Sequence, residues 1–80
     1  MTSIALVEDN DDLRDMTRAY LTGLGYDVEG FEDAEDALSM AQPADIYIVD
    51  LNLPDMSGYD LIAGIRAVDA NAGIVILSAR

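Results

Sequence analysis

The chain sets acidic side chains at the ends of apolar runs. SIALVE, residues 3–8, ends in Glu8 and is followed by Asp9; Ile46-Tyr47-Ile48-Val49 stops at Asp50; Ile74-Val75-Ile76-Leu77 runs into Ser78. A carboxylate at the tip of a buried strand costs several kcal/mol (on the order of) unless it is paired, solvated or bound to a metal. Asp50 is therefore either the first solvated residue of a loop or a group that its strand exists to present. If the strand ends meet, three carboxylates and a hydroxyl share one edge. Carboxylates so placed repel, and some stay protonated at neutral pH unless a cation joins them. Mg2+ suits such a set: it takes oxygen ligands, keeps several waters, and commonly uses one or two carboxylates plus a phosphate oxygen. An aspartate is a competent nucleophile towards phosphorus, giving an aspartyl-phosphate. The metal would offset charge on the entering phosphoryl group, and the Ser78 hydroxyl can donate to one of its oxygens.

The intervening segments must bring those ends together. After the first strand, DNDDL opens a helix. Leu13, Met16, Thr17, Tyr20, Leu21 and Leu24 fall on one helical face. Asp11 and Asp12 suit its first turn, where the macrodipole favours anions, and Gly23 and Gly25 mark its end. Residues 26–31, YDVEGF, form a second strand. Asp33 is the N-cap of a short helix with Ala34, Ala37, Leu38 and Ala41 inward, closed by Pro43. The third strand is DIYIVD. Leu61, Ile62, Ile65 and Val68 form a third helical stripe, and residues 73–79, GIVILSA, a fourth strand. Pro54 stiffens the loop after Asp50, and Gly58 permits a tight turn into the third helix. The tyrosines and Met16 are expected as core or half-buried packing.

The order is β-α-β-α-β-α-β. The first, third and fourth strands are continuous apolar runs rather than alternating ones, which predicts cover on both faces. An α/β fold with a parallel sheet and right-handed crossovers follows. In open sheets of this type ligands bind at the carboxyl ends of the strands, where strand order reverses.

Composition narrows the chemistry. The 80 residues make one small domain, with a hydrophobic fraction of 51%. No cysteine is present, hence no disulfide framework or thiolate metal site. The absence of histidine removes His-ligated zinc, a Ser-His-Asp triad and any unperturbed switch near neutral pH. The net charge of −12 disfavours nucleic acid and anionic membranes as direct partners; its plain alternative meaning is solubility. No basic-then-apolar leader and no run of membrane-spanning length is present, so the expectation is a soluble, cytoplasmic chain.

Glu8-Asp9 after the first strand, Asp50 at the tip of the third, DLNLPDMSG and the SA after the fourth together resemble the receiver domain of two-component response regulators. DLNLPDMSG is similar to the family pattern D-x-x-M-P-x-M-x-G, with Leu53 in place of the first methionine. The resemblance covers residues 1–80 and implies a flavodoxin-like sheet of order 2-1-3-4 with helices on both faces. It further implies that Asp50 accepts a phosphoryl group from a phosphohistidine on a sensor histidine kinase or histidine phosphotransfer protein. Asp9, Asp50 and the main-chain carbonyl of Asn52 would coordinate Mg2+, Glu8 would support it through water, and Ser78 would be the switch hydroxyl. Such domains are not dedicated enzymes but catalyse their own Mg2+-dependent phosphoryl transfer. A transcription-regulating, DNA-binding output elsewhere in a parent chain is an analogy with the family alone.

One departure bears on stability. The family continues with a fifth strand, usually ending in a lysine, and two more helices, whereas this chain ends at Arg80 and its basic residues are Arg14, Arg18, Arg66 and Arg80. The expectation is a partial receiver whose fourth strand has an open edge, inviting a homodimer or an element swap there. Other readings remain beside the first. Asp9 is equally suited to N-cap the first helix, and a serine after a strand is often a turn residue. A receiver-like interaction module without phosphorylation is one alternative. An aspartyl-phosphate-forming phosphohydrolase is a poorer one, because Asp50-Leu51-Asn52 lacks the second aspartate of D-x-D and lies on the third strand. GLGYDV lacks the third glycine of a dinucleotide loop and follows a helix. A calcium loop from Asp9 would need glycine at Arg14 and glutamate at Tyr20.

Overall fold

The computed structural model describes residues 1–40 and 42–78, and for Ser78 the backbone alone. The elements are β1 (Ser3–Val7), α1 (Asp11–Gly23), β2 (Asp27–Phe31), α2 (Ala34–Leu38), β3 (Ile46–Asp50), α3 (Gly58–Val68) and β4 (Gly73–Ser78). All strand pairs are parallel, in the order β2-β1-β3-β4. The expected inward placement of Ala41 lies outside the described residues.

Continuous apolar strands are explained by cover on both faces. On one face Ala5, Val7, Tyr47 and Val49 pack against Ala34 and Ala37 of α2 and Leu61 and Ile65 of α3. On the other, Ile4, Leu6 and Val28 form a smaller cluster with half-buried Leu21, Ile46 and Ile48. Each fully buried aliphatic side chain contributes roughly 1.5–3 kcal/mol. Tyr47 sits opposite the small Ala5, and its hydroxyl accepts from the Ala44 N–H at 3.1 Å, so the buried ring carries no orphaned polar atom.

Three helix caps follow the local sequence. The Asp33 carboxylate accepts from the Asp36 N–H, as expected, and the Ser57 hydroxyl from that of Asp60. At α1 the cap is Asn10, whose Oδ1 accepts from the Leu13 N–H at 2.9 Å. The capping role considered for Asp9 is thus filled by its neighbour. Gly25, after the helix, has φ of 97°, a conformation in which a Cβ is strained.

The expected burial of α1's apolar stripe is corrected. No residue of α1 is buried, and Met16 and Tyr20 are 66% and 68% exposed. The helix lies over β1 and β2 with Arg14, Thr17 and Leu21 half-buried against the sheet. Arg18 reaches the β2 side, donating to the Val28 carbonyl, so the flank carrying Leu13, Met16, Tyr20 and Leu24 looks the other way, over β3 and β4. Among the described residues no second helix lies on that half of the face. Tyr59, Leu38 and Val68, also expected inward or half-buried, are exposed because they fall at the rims of α2 and α3.

Candidate functional site

β1 and β3 are adjacent and in register, Val7 beside Val49, so the residues that follow them emerge together. Glu8 is buried and held at three points. Its N–H donates to the Phe31 carbonyl at 3.0 Å, its carbonyl accepts from Arg14 Nη1 at 2.8 Å, and its Oε2 accepts from the Asn10 N–H at 3.1 Å. Arg14 reaches the carbonyl past Gly30, where a Cβ would lie 3.2 Å from Arg14 Cδ. Asp9 is exposed at the loop crest, and Asp50, the last residue of β3, is 1% exposed.

Glu8, Asp9 and Asp50 each offer a carboxylate oxygen, all within 4.8 Å of one another. Burial pushes the Glu8 carboxyl above its ordinary value; the Asn10 N–H opposes this, and Asp9 and Asp50 add to it. The one ion pair among the described residues, Arg14 to Asp11 at 2.6 Å, neutralises none of the three. An acceptor-only, all-oxygen set with two buried members and, among the described residues, no cationic side chain on it fits a hard divalent cation.

The loop after Asp50 is tightly folded. Asp50 Oδ1 accepts from the Asn52 N–H at 3.0 Å, Asn52 pairs with Ser57 in an antiparallel bridge, and the Gly58 N–H donates to the Leu51 carbonyl at 3.0 Å. A Cβ on Gly58 would lie 2.6 Å from Leu51 Cα and 2.8 Å from the Asp50 carbonyl oxygen. Its φ is not in the left-handed region. The expected reason for this glycine, freedom to turn, is therefore replaced by close approach of α3 to the backbone that carries Asp50.

Of the site residues expected from the sequence, Glu8, Asp9 and Asp50 are brought together. Asn52 lies two residues after Asp50 in the loop and touches its carboxylate through the amide N–H. Ser78 lies opposite Asp50 in the β3–β4 register, after a shift at Val49/Asp50; its side chain, like Ala79 and Arg80, lies outside the described residues. Arg14 and Asp55 were not singled out by sequence reasoning. Asp55 accepts from the Ala34 and Glu35 N–H groups at 3.0 and 2.9 Å. A cleft of about 500 Å³ lies at the other end of the strands, beside Ser3, Asp27 and Ala44, and holds none of the three carboxylates. Among the described residues no helix is long and apolar enough to cross a membrane.

Comparison with known proteins agrees with this arrangement. The family profile of the response regulator receiver domain matches residues 4–80. The transcriptional regulatory protein CssR of Bacillus subtilis is 38% identical over 79 residues, which is 98% of this chain and 35% of CssR. The virulence transcriptional regulatory protein PhoP of Salmonella typhimurium is 40% identical over 83 residues, covering 100% of this chain and 37% of PhoP. The chain thus spans about a third of the length of the curated relatives it matches. Among solved structures, response regulator protein TrrA of Thermotoga maritima in complex with Mg(2+)-BeF superposes with a TM-score of 0.89 at 28% identity, covering 95% of this chain and 68% of that one. TrrA in complex with histidine kinase ThkA gives a TM-score of 0.89 at 30% identity, with 99% and 70% covered. With the order β2-β1-β3-β4, the acidic strand ends and a family match over nearly its whole length, the chain belongs to the response regulator receiver domain family.

Proposed function

We propose that this chain is the phosphoacceptor of a two-component system and that Asp50 is the residue modified. The observation that carries the reading is a buried aspartate at the end of a central strand, with the oxygens of Glu8 and Asp9 within 4.8 Å. An Asp50 carboxylate oxygen attacks phosphorus of a phosphohistidine on a sensor kinase or phosphotransfer protein. The O–P bond forms, the P–N bond breaks, and the imidazole leaves and takes up a proton. The Asn52 N–H on Oδ1 fixes the orientation of the attacking carboxylate. Asp9, Asp50 and the Asn52 carbonyl would hold Mg2+, with Glu8 acting through water; the cation supplies positive charge against the incoming phosphoryl oxygens. The three points that hold Glu8 keep its carboxylate beside Asp50 without a covalent role of its own. Ser78, level with Asp50 in register, would donate to a phosphoryl oxygen and report the modification to the rest of the fold.

The Mg(2+)-BeF complex of TrrA and its complex with ThkA support the cation and the kinase as partner classes. The names of CssR and PhoP support control of transcription as the output of a longer protein in the cytoplasm. The outer edge of β4, with Val75, Ile76 and Leu77 exposed, is where a second copy or an exchanged element would pair.

Acetyl phosphate with Mg2+ should add one phosphoryl group, read by mass spectrometry, and both Asp50→Asn and removal of the metal with EDTA should abolish it. Persistence of the group on the Asn variant would overturn the assignment. Mg2+ titration should move the amide resonances of residues 8–10 and 50–52, and Asp9→Ala should weaken that binding. Shifts centred on Asp33–Asp36 instead would mean generic acidity, and a receiver-like interaction module would then be the better description.

A further inference from the structure

The loop that leaves Asp50 is anchored to a part of the chain that takes no part in the acidic cluster. Asp55 spends both carboxylate oxygens on the start of α2, Oδ1 on the Ala34 N–H and Oδ2 on the Glu35 N–H. Yet α2 has a cap of its own, because Asp33 already accepts from the Asp36 N–H at 2.9 Å. Three successive donors of a five-residue helix are taken by two carboxylates, one local and one twenty residues away. Water can satisfy the exposed Glu35 amide, whereas Ala34 is fully buried and its amide depends on the distant carboxylate. What it also adds is a two-point grip on its own loop. That loop is otherwise a closed ribbon. Asn52 pairs with Ser57, the Gly58 N–H meets the Leu51 carbonyl, and Asp55 sits near the tip between Leu53 and Met56, which pack on the larger core cluster.

We infer that Asp55 is a positioning residue for the acidic site: by holding the Ala34 and Glu35 amides it fixes the 51–57 loop and keeps the Asn52 amide on Asp50. The functional part of this rests on the phosphoacceptor reading above; the structural part does not. Asp55 touches none of the reacting atoms and acts through the backbone of Asn52. It also makes α2 sensitive to anything that moves the loop at Asp50.

The test compares Asp55→Ala and Asp55→Asn with Asp33→Ala, which removes the helix's own cap and leaves the loop alone. Hydrogen exchange at the Asn52 amide in metal-free protein reads the anchor directly. Asp55→Ala should speed it about fivefold, the loss of roughly one hydrogen bond's worth of order, and should weaken Mg2+ binding by a similar factor. Asp55→Asn, which keeps one acceptor oxygen, should fall between it and the parent. Asp33→Ala should change neither, and protection of the Leu61 and Ile65 amides should show that all three variants remain folded. Equal effects of Asp33→Ala and Asp55→Ala, or no effect of the latter on Asn52, would overturn the inference. A parent protein that binds no Mg2+ would overturn the phosphoacceptor reading instead, while the metal-free Asn52 comparison would still decide the role of Asp55.

Discussion

The two faces of the sheet are built from the same kinds of residue and finished differently. On the face of α2 and α3, two helices seal the strands, and Val7, Val49, Leu61 and Ile65 are fully buried. On the face of α1 one helix covers half the sheet. Val75, level with Ile48 in register, is 51% exposed, and α1 turns Leu13, Met16, Tyr20 and Leu24 towards the uncovered half without burying any of them. The acidic site stands at the ends of β1 and β3, the two strands paired on both sides, where both clusters meet. A helical apolar stripe marks a face that gains from cover. It does not by itself supply the cover, and stability and site geometry should depend on the closed face far more than on the open one.

The largest difference should come from truncating one helix on each face. Ile65→Ala removes a fully buried side chain of α3 and should cost about 2–5 kcal/mol in chemical denaturation. Met16→Ala on α1 should change stability by less than about 0.5 kcal/mol, since the side chain is already in water. Comparable losses for the two would mean that the open flank is covered in solution, and sedimentation of the parent would then show whether a second copy covers it. A smaller effect, centred on the site, is expected from Gly58→Ala. The new Cβ meets backbone at 2.6 Å, which no side-chain rotamer relieves, so α3 or the Leu51 peptide must move. We expect a loss of about 1–3 kcal/mol, accompanied by shifts in the Asp50 and Asn52 amides. The same substitution at Gly23, where nothing lies within 4 Å, should leave the site resonances in place.

Legibility in the sequence followed the range of the interaction concerned. The strand ends and the carboxylates they present are local features: Glu8, Asp9 and Asp50 are where apolar runs stop, and a parallel order does the rest. Asp33 and Gly25 were legible for the same reason. Burial of the α1 stripe was not, because periodicity locates an apolar flank but says nothing of what packs against it. At Gly58 the residue type suggests freedom to turn, while the close approach to the Leu51 and Asp50 backbone that the structure shows is visible only in three dimensions. Asn10 rather than Asp9 caps α1; the three-residue spacing to Leu13 was the available signal. Arg14 and Asp55 act on backbone groups of other segments, and no spacing in the chain encodes a contact between Asp55 and Ala34.

Acid should separate the two faces at the smallest energetic scale, because their polar ties differ in chemistry. α2, on the closed face, is tied to its loop by the Asp55 carboxylate; the Ala34 N–H first and the Glu35 N–H with it hold that carboxyl below its ordinary value of 3.8. α1, on the open face, is tied by Arg14 to the Glu8 carbonyl and by Arg18 to the Val28 carbonyl, bonds from guanidinium groups to main-chain oxygens with no carboxylate in them. The sign follows from linkage. A carboxyl whose folded-state pKa is depressed gives stability that is fully present above its unfolded value and is lost as pH falls through the folded one. Lowering the pH from 5 to below about 3.8 should therefore loosen the start of α2 before global unfolding, and leave the α1 ties intact until then. Amide exchange at Ala34 and Glu35, set against that of Leu21 in the same samples, measures this. Asp55→Asn should remove most of the pH dependence at Ala34 and Glu35 in that window. Were Leu21 to lose protection first, the thinner packing of the open face would outweigh the titration of the Asp55 carboxylate, and the open face would be the acid-labile one.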